Sequence, residues 1–241
     1  MNRWLESTRC LVIAHRGASA AAPENTLAAF RLAADLGADA IELDVQGTAD
    51  GQLVIMHDDS VNRTTDGRGN VAELTLEQLR RYDAGVKFGP SFRGERIPLL
   101  SEVFDAVAGR LLVDVEVKAA GVEAAALDLI VRAKMADSVL ITSFDAGVVA
   151  RVREMAPQIP IGFLHEGAVD PNTAVSLRAA AYLPEVVTLT ADVVATTRRH
   201  GLRLITWTVQ TEEEARRAIR LGVDGIIADD PVLIQRMLAA K

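Results

Sequence analysis

Acidic side chains recur at every second position in two otherwise apolar stretches of the chain. Glu42 and Asp44 form one pair, and Asp114, Glu116 and Lys118 form a second set. Because side chains alternate between the two faces of a strand, each set shares one face. Buried carboxylates must be paired, hydrogen-bonded or neutralised by a cation. Glu42, Asp44 and Glu116 therefore predict a site for a divalent cation, Mg²⁺ or Ca²⁺ with Mn²⁺ also suitable, since these ions take oxygen ligands.

Lys118 leaves two interpretations of this cluster open. Its ammonium is placed to bind an anion next to the three acids. Alternatively, Lys118 neutralises one acid while water reaches the others, and the cluster is then a charge-paired strand end without a metal ion.

Two of the four histidines follow predicted strands directly. His15 comes after the first strand, and His57 ends a later apolar run. Imidazole titrates near neutral pH, so the two side chains have the chemistry of a general acid and a general base. Arg16 has the fork geometry that binds a phosphate bidentately. Taken singly, each histidine also fits a structural or solvated role, and that is the role we expect for His165 and His200.

The elements that must position these residues follow a regular rhythm of short apolar runs and longer Ala-, Leu- and Arg-rich segments. This alternation is typical of repeated βα units. Eight parallel strands with intervening helices indicate an α/β fold of the TIM (β/α)8 barrel type, whereas a doubly wound sheet more often has five or six. The predicted strands are Leu11–His15, Ala40–Val45, Leu111–Val117, Val139–Thr142, Ile159–Leu164, Ala180–Leu183, Leu202–Val209 and Gly225–Ala228.

One interval breaks this rhythm. More than fifty residues separate the second strand from a helix predicted at Leu100–Val107, and they include the apolar run Leu53–Met56. A loop of that length in a compact domain usually has structure of its own or a function. We predict a hairpin and a small helical insertion over about residues 46–98. Before it, Asn25 is the predicted N-cap of a helix that ends at Gly37.

Composition narrows the function classes. The 241 residues, 49% of them hydrophobic, fit one domain spanning residues 1–241. The 26 Lys and Arg against 33 Asp and Glu give a net charge of −7, which argues against binding to nucleic acid or to an anionic membrane. No apolar stretch approaches eighteen residues, so membrane insertion is not expected. The single cysteine, Cys10, fits a reducing cytoplasm. Oligomeric state stays open.

Nine short motifs occur in a fixed order between about Leu11 and Pro231. They are His15-Arg16-Gly17, Pro23-Glu24-Asn25-Thr26, Glu42-Leu43-Asp44, His57-Asp58, Asn62-Arg63-Thr64-Thr65, Ile97-Pro98, Glu116-Val117-Lys118, Trp207-Thr208-Val209 and Gly225-Ile226-Ile227-Ala228-Asp229-Asp230-Pro231. Each motif is common by itself, but the ordered set closely resembles the glycerophosphodiester phosphodiesterase family.

That resemblance implies a TIM-barrel enzyme with an insertion after the second strand. It implies metal-dependent hydrolysis of small-molecule glycerophosphodiesters, such as glycerophosphocholine or glycerophosphoethanolamine, to sn-glycerol 3-phosphate and an alcohol. A cyclic phosphate, formed by the neighbouring glycerol hydroxyl, is the implied intermediate. The implied roles are acid and base for His15 and His57, phosphate contacts for Arg16 and Lys118, and metal ligands for Glu42, Asp44 and Glu116.

Several aromatic and acidic positions have two interpretations. Trp207 is either an apolar wall against the substrate or a core residue, and Phe144 either lines the pocket or, as we expect, belongs to the barrel core. Phe88 either caps the mouth or packs in a separate cluster. Glu24 either orients Arg16 or lies in the first turn of a helix.

Departures from the family's pattern bear on specificity. Gln210, Ala228 and the region Tyr182–Glu185 differ from the residues that the family commonly has there. An alternative function that keeps the barrel and the metal is cleavage of lysophospholipids, as in phospholipase-D-like relatives of the family, which predicts an apolar trough or membrane-binding surface at the mouth. A catalytically silent phosphodiester-binding protein is a third hypothesis, opposed by the presence of both histidines and all three acids.

Overall fold

The computed structural model describes residues 2–167 and 170–240, and within them eight parallel strands close into a barrel with helices between the strands. Closure is complete because β1 pairs with both β2 and β9. The predicted TIM barrel is confirmed, with all eight predicted strands near their expected positions. The strands are β1 Leu11–Ala14, β2 Ala40–Gly47, β3 Leu53–Ile55, β4 Leu112–Val117, β5 Val139–Ser143, β6 Ile161–His165, β7 Ala181–Pro184, β8 Arg203–Val209 and β9 Gly225–Ala228.

The helices pack around the barrel, and those of six or more residues bury their apolar faces against it. They are α1 Arg3–Glu6, α2 Leu27–Asp35, α3 Leu76–Leu79, α4 Leu100–Val107, α5 Glu123–Arg132, α6 Ala146–Met155, α7 Pro171–Ser176, α8 Ala191–Arg199, α9 Glu212–Leu221 and α10 Pro231–Ala239. No helix in the described part of the chain combines the length and the apolar character needed to cross a bilayer.

The barrel interior has its own apolar cluster, closed at the amino-terminal end of the strands by Trp4. The indole of Trp4 is 2% exposed and donates a hydrogen bond to the carbonyl of Ser138, the residue before β5. Asn2 caps the short helix α1 and also donates to the carbonyl of Val139. The bottom of the barrel is filled in this way, and its carboxyl-terminal end opens to a cavity lined by most of the candidate residues.

The predicted hairpin after the second strand is confirmed. Strand β3 runs antiparallel to β2, with Val45 opposite Ile55 and Gly47 opposite Leu53. Beyond β3, α3 and two short 3₁₀ helices at residues 71–73 and 90–92 pack around a separate apolar cluster. This cluster gives the insertion a core of its own beside the barrel mouth.

The start of α2 differs from the prediction. Thr26, rather than Asn25, is the N-cap, and its hydroxyl accepts a hydrogen bond from the backbone N–H of Ala29. Asn25 lies one residue earlier with φ of 58°, in the left-handed region that asparagine tolerates better than most residues. Its side chain is engaged elsewhere, in the site described below.

Candidate active site

The acidic residues of β2 and β4 converge because these strands are neighbours in register. Glu42 lies opposite Asp114, and Asp44 lies opposite Glu116. Glu42, Asp44 and Glu116 each offer one carboxylate oxygen, and these three oxygens lie within 4.8 Å of one another. The structure thus brings the three predicted metal ligands together, with Asp114 buried beside them.

The environment of these acids opposes their negative charge. Burial raises the pKa of Glu42 well above its usual value, and the neighbouring carboxylates of Asp44 and Glu116 add to the effect. Burial, followed by the charge of Asp44, raises the pKa of Glu116 to about 7. Burial also raises the pKa of Asp114 to about 8, against a 2.7 Å hydrogen bond donated by Thr142. The cluster holds more negative charge than the protein neutralises.

Lys118 neutralises only part of this cluster. Its ammonium lies 2.9 Å from Glu116 Oε1 and 3.5 Å from Asp44 Oδ1. Asp44 and Asp114 are 0% exposed, so water does not reach them as the charge-paired alternative requires. Among the described residues, Asp44 Oδ1 and Asp114 Oδ2 have no hydrogen-bond donor. Buried oxygen ligands with unsatisfied lone pairs fit a hard divalent cation.

A strained turn after β1 points the next residues at the acids. Arg16 has φ of 55° and donates its backbone N–H to Glu42 Oε2 at 2.9 Å. The following Gly17 has φ of 82°, and a Cβ there would lie 2.7 Å from the backbone of Ala29. Only glycine fits this turn without displacing α2, since a left-handed residue with a side chain would be both strained and in collision.

His15 is held by a carboxylate at the far end of the sequence. Its Nδ1 lies 2.6 Å from Asp229 Oδ1, and the hydroxyl of Ser19 donates to the same oxygen at 3.2 Å. Burial opposes the charge of Asp229, but the hydrogen bond and charge of His15, together with hydrogen bonds from Ser19 and Gln210, outweigh it and lower the pKa of this carboxyl. With Nδ1 engaged, Nε2 of His15 faces the acids, 4.0 Å from Glu42 Oε2. Asp229 belongs to the motif at residues 225–231, which gave no indication of this contact.

His57 is fixed by the end of the hairpin. The side-chain amide of Gln46 donates to the carbonyls of Met56 and Asp58, at 2.9 and 2.8 Å. The ring Nδ1 lies 2.7 Å from Asp58 Oδ1. A hydrogen bond from Arg63 is the main cause that lowers the pKa of Asp58, and the bond from His57 adds to it. Both predicted catalytic histidines therefore pair Nδ1 with a carboxylate.

A chain of ion pairs joins the insertion to the barrel. Arg63 donates to both Asp58 oxygens, at 2.8 and 3.0 Å, and to both Glu24 oxygens, at 2.6 and 2.8 Å. Glu24 in turn accepts from Arg16 Nη1 at 2.8 Å. Burial opposes the charge of Glu24, but these arginines outweigh it and lower its pKa. Glu24 thus orients Arg16, as one of its two interpretations held, and it precedes α2 rather than lying in its first turn.

Asn25 supports the fully buried carboxylate of Asp44. Its side-chain amide donates to Asp44 Oδ2 at 2.8 Å, and Arg16 Nε lies 3.4 Å from the same oxygen. The left-handed conformation of Asn25 aims its side chain into the barrel mouth instead of along α2. Nothing in the local sequence indicated this role, because a residue before a helix is first expected to cap it.

The candidate residues other than Asp44 line one cavity of about 360 Å³ at the carboxyl-terminal mouth of the barrel. Its wall includes His15, Arg16, Glu42, His57, Glu116 and Lys118, together with Phe144, Glu166 and Trp207.

The two aromatic residues of the wall meet edge to face. The rings of Phe144 and Trp207 have centroids 5.3 Å apart and planes at 87°. Phe144 is 39% exposed, so its expected place in the barrel core is wrong. Trp207 lines the cavity, as a wall residue would, and it also packs on the inner apolar cluster, as a core residue would. Phe88 is outside this wall and packs against Phe92.

The remaining histidines keep the structural roles expected for them. His165 forms a 2.8 Å hydrogen bond with the buried Tyr182 hydroxyl, and His200 is the C-cap of α8. Neither belongs to the cavity wall.

Comparison with known proteins agrees with this arrangement. The profile of the glycerophosphoryl diester phosphodiesterase family matches residues 15–233. A glycerophosphodiester phosphodiesterase of Caldanaerobacter subterraneus subsp. tengcongensis is 44% identical over 231 residues, covering 92% of this chain and 95% of that one.

Solved structures show the same fold over nearly the full chain. A phosphodiesterase of Oleispira antarctica, in complex with the product sn-glycerol-3-phosphate, superposes with a TM-score of 0.91 at 29% identity, covering 98% of this chain and 99% of that one. A glycerophosphodiester phosphodiesterase of Agrobacterium tumefaciens superposes with a TM-score of 0.85 at 28% identity, covering 95% and 100% of the two chains. In sequence and in fold alike, the chain is an enzyme of the glycerophosphoryl diester phosphodiesterase family.

Proposed function

We propose that the protein hydrolyses glycerophosphodiesters, such as glycerophosphocholine or glycerophosphoethanolamine, to sn-glycerol 3-phosphate and an alcohol. The observation that carries the proposal is that His15 and His57, each paired through Nδ1 with a carboxylate, share one cavity wall with Glu42 and Glu116. The sn-glycerol-3-phosphate bound to the Oleispira antarctica phosphodiesterase supports the same product for this chain.

The phosphodiester carries one negative charge, and the cavity offers two cations to bind it. Arg16 and Lys118 both line the cavity wall. Arg16 lies next to Asp44, and Lys118 lies next to Glu116. Glu42, Asp44 and Glu116 are the residues that would hold Mg²⁺, Ca²⁺ or Mn²⁺. When bound, such a cation neutralises charge on the non-bridging phosphate oxygens.

The two histidines supply the proton transfers. In each, the proton on Nδ1 is held by a carboxylate, which leaves Nε2 to act on the substrate. One imidazole takes the proton of the attacking hydroxyl, and the other donates a proton to the departing alkoxide, so that no strong base or alkoxide is released.

The attacking group is the glycerol hydroxyl next to the phosphate. Its oxygen forms a bond to phosphorus while the bond from phosphorus to the alcohol oxygen breaks, and a cyclic phosphate results. Water then opens the ring with the histidine roles exchanged, giving sn-glycerol 3-phosphate. An analogue of glycerophosphocholine that lacks the adjacent hydroxyl should therefore be inert.

The test is an assay coupled to release of sn-glycerol 3-phosphate. His15→Ala and His57→Ala should each lower turnover about 10²-fold or more, the usual contribution of general acid and base catalysis. EDTA should abolish hydrolysis, and added Mg²⁺, Ca²⁺ or Mn²⁺ should restore it. Turnover like that of the unchanged protein in either variant would reject the histidine pair, and full activity in chelator would reject the metal.

Cleavage of lysophospholipids is the alternative that this assay separates. It needs a trough for an acyl chain, whereas most of the groups that line the cavity are charged or polar. Comparing glycerophosphocholine with lysophosphatidylcholine decides between the two substrates. A protein that only binds phosphodiesters would show thermal stabilisation by ligand without product release. The expected cytoplasmic location stays a prediction.

A further inference from the structure

One part of the cavity wall has no role in the chemistry proposed above. It consists of Phe144, Glu166 and Trp207, which follow β5, follow β6 and lie in β8. These strands are neighbours in the order β5, β6, β7, β8 around the barrel. Phe144, after β5, and Trp207, in β8, meet edge to face. Glu166 follows β6, which lies between β5 and β8 in the sheet order.

The aromatic surface is fixed in orientation. The indole N–H of Trp207 donates to the carbonyl of Leu183 at 2.8 Å, so the ring cannot rotate without breaking this bond. Phe144 packs its ring against Trp207 and leaves 39% of its surface exposed. A rigid, partly exposed aromatic pair on a cavity wall presents a π-face to a ligand at little cost in conformational freedom.

No residue in the described part of the chain neutralises the charge of Glu166 by an ion pair. Within residues 2–167 and 170–240, Glu166 is exposed and has neither an ion-pair nor a hydrogen-bond partner. The two cations of the cavity wall, Arg16 and Lys118, are both paired with other carboxylates. An uncompensated carboxylate that lines the same cavity as two aromatic rings has the chemistry that recognises an ammonium group.

We propose that Phe144, Glu166 and Trp207 form a subsite for the positively charged alcohol of the substrate, and that the enzyme favours diesters of amino alcohols over diesters of neutral ones. The inference rests on the proposed function, since the subsite binds one half of the diester. A divalent cation and Arg16 would repel an ammonium from the phosphate end of the cavity. The aromatic wall is the part of the cavity where that repulsion is offset by attraction.

A neutral group is the competing occupant of the same wall. Glycerol or its phosphate ester would use Trp207 only as an apolar surface, and the negative charge of Glu166 would then give no advantage. The two assignments differ in their dependence on the charge of the alcohol, which can be varied while the glycerophosphate half stays constant.

The experiment compares kcat and KM for glycerophosphocholine and glycerophosphoglycerol. Glu166→Gln removes the charge and keeps the size of the side chain, and Phe144→Leu removes the aromatic face and keeps apolar volume. Glu154→Gln is the matched control, since it removes one exposed carboxylate on the outer helix α6. Choline and its uncharged isostere 3,3-dimethylbutan-1-ol serve as product inhibitors in the same assay.

We expect the unchanged protein to prefer glycerophosphocholine in kcat/KM. Glu166→Gln and Phe144→Leu should each reduce this preference about tenfold, mainly through KM for glycerophosphocholine, as loss of one cation–π or charge contact predicts. Choline should inhibit more strongly than its isostere, and Glu166→Gln should remove the difference. Glu154→Gln should keep both ratios.

Two results would overturn the inference and separate it from the proposed function. If both diesters are hydrolysed but Glu166→Gln and Phe144→Leu leave the preference unchanged, the subsite is wrong and the proposed function stands. If the unchanged protein hydrolyses neither diester, the proposed function fails and the subsite falls with it.

Discussion

Removing the divalent cation should make the stability of the protein depend steeply on pH. In the folded protein without metal, burial raises the pKa of Asp114 to about 8 and that of Glu116 to about 7, and it also raises the pKa of Glu42. In the unfolded chain these carboxyls return to ordinary values near 4. Folding therefore takes up protons between about pH 4 and pH 8.

The sign follows from this proton uptake. A carboxyl whose pKa is raised in the folded state stabilises the folded protein most at pH values below its pKa in the unfolded chain. This stabilisation is lost as pH rises through the pKa of the folded state. Each proton taken up on folding changes the free energy of unfolding by about 1.4 kcal/mol per pH unit. Asp114 alone should thus lower this free energy by about 3 kcal/mol between pH 5 and pH 7, with Glu42 and Glu116 adding to the loss.

The assay is urea unfolding in EDTA at pH 5, 6 and 7, followed by tryptophan fluorescence and linear extrapolation. Trp4 and Trp207, the two tryptophans of the chain, both contact the inner cluster and report on the barrel. A saturating divalent cation should reverse the trend, because it displaces protons from its ligands and stabilises the folded state most at high pH.

Asp114→Asn is the matched variant. It keeps the shape of the side chain and an oxygen that accepts the hydrogen bond of Thr142. Because it no longer ionises, the slope in EDTA should fall by about 1.4 kcal/mol per pH unit. The exposed Glu154→Gln should keep the slope of the unchanged protein. A free energy of unfolding that is flat or rising from pH 5 to pH 7 in EDTA, or an Asp114→Asn slope equal to that of the unchanged protein, would refute the reasoning.

Two further predictions concern the carboxylates that hold the histidines. Asp229→Asn should lower kcat about tenfold or more, because the ring of His15 loses the carboxylate that orients it; a kcat equal to that of the unchanged protein would contradict this role. Arg63→Gln should lower the free energy of unfolding in urea by about 1 kcal/mol, since its half-exposed pairs with Asp58 and Glu24 are partly screened. It should also lower kcat/KM by loosening His57, and an effect on stability alone would make Arg63 purely structural.

The parts of the site that were predictable from the sequence depend on strand periodicity. Alternation placed Glu42 with Asp44 and Glu116 with Lys118 on single faces, and the order of the βα units made β2 and β4 neighbours in the barrel. Strand alternation and the order of the βα units together suffice to predict that Glu42, Asp44 and Glu116 lie close to one another. The carboxyl end of β1 likewise follows from the apolar run before His15.

The parts that were missed depend on contacts between distant segments. His15 and Asp229 are 214 residues apart, and only the closure of the barrel through the pairing of β1 with β9 brings them together. Phe144 was expected in the barrel core, but it lies just beyond the end of β5 at Ser143 and is 39% exposed. The side chain therefore projects at the rim, where exposure depends on the curvature of the mouth rather than on sequence alternation.

The segment at residues 23–26 shows why local rules gave the wrong cap. Asn25 and Thr26 are both good N-cap residues, and the sequence alone favours the first. Asn25 is drawn away by its hydrogen bond to Asp44, which a left-handed backbone makes possible, and Thr26 then caps α2. Glu24 in the same segment bonds to Arg16. Three adjacent residues thus connect Arg16, Asp44 and the start of α2, so we expect a change in any one of them to disturb the other two.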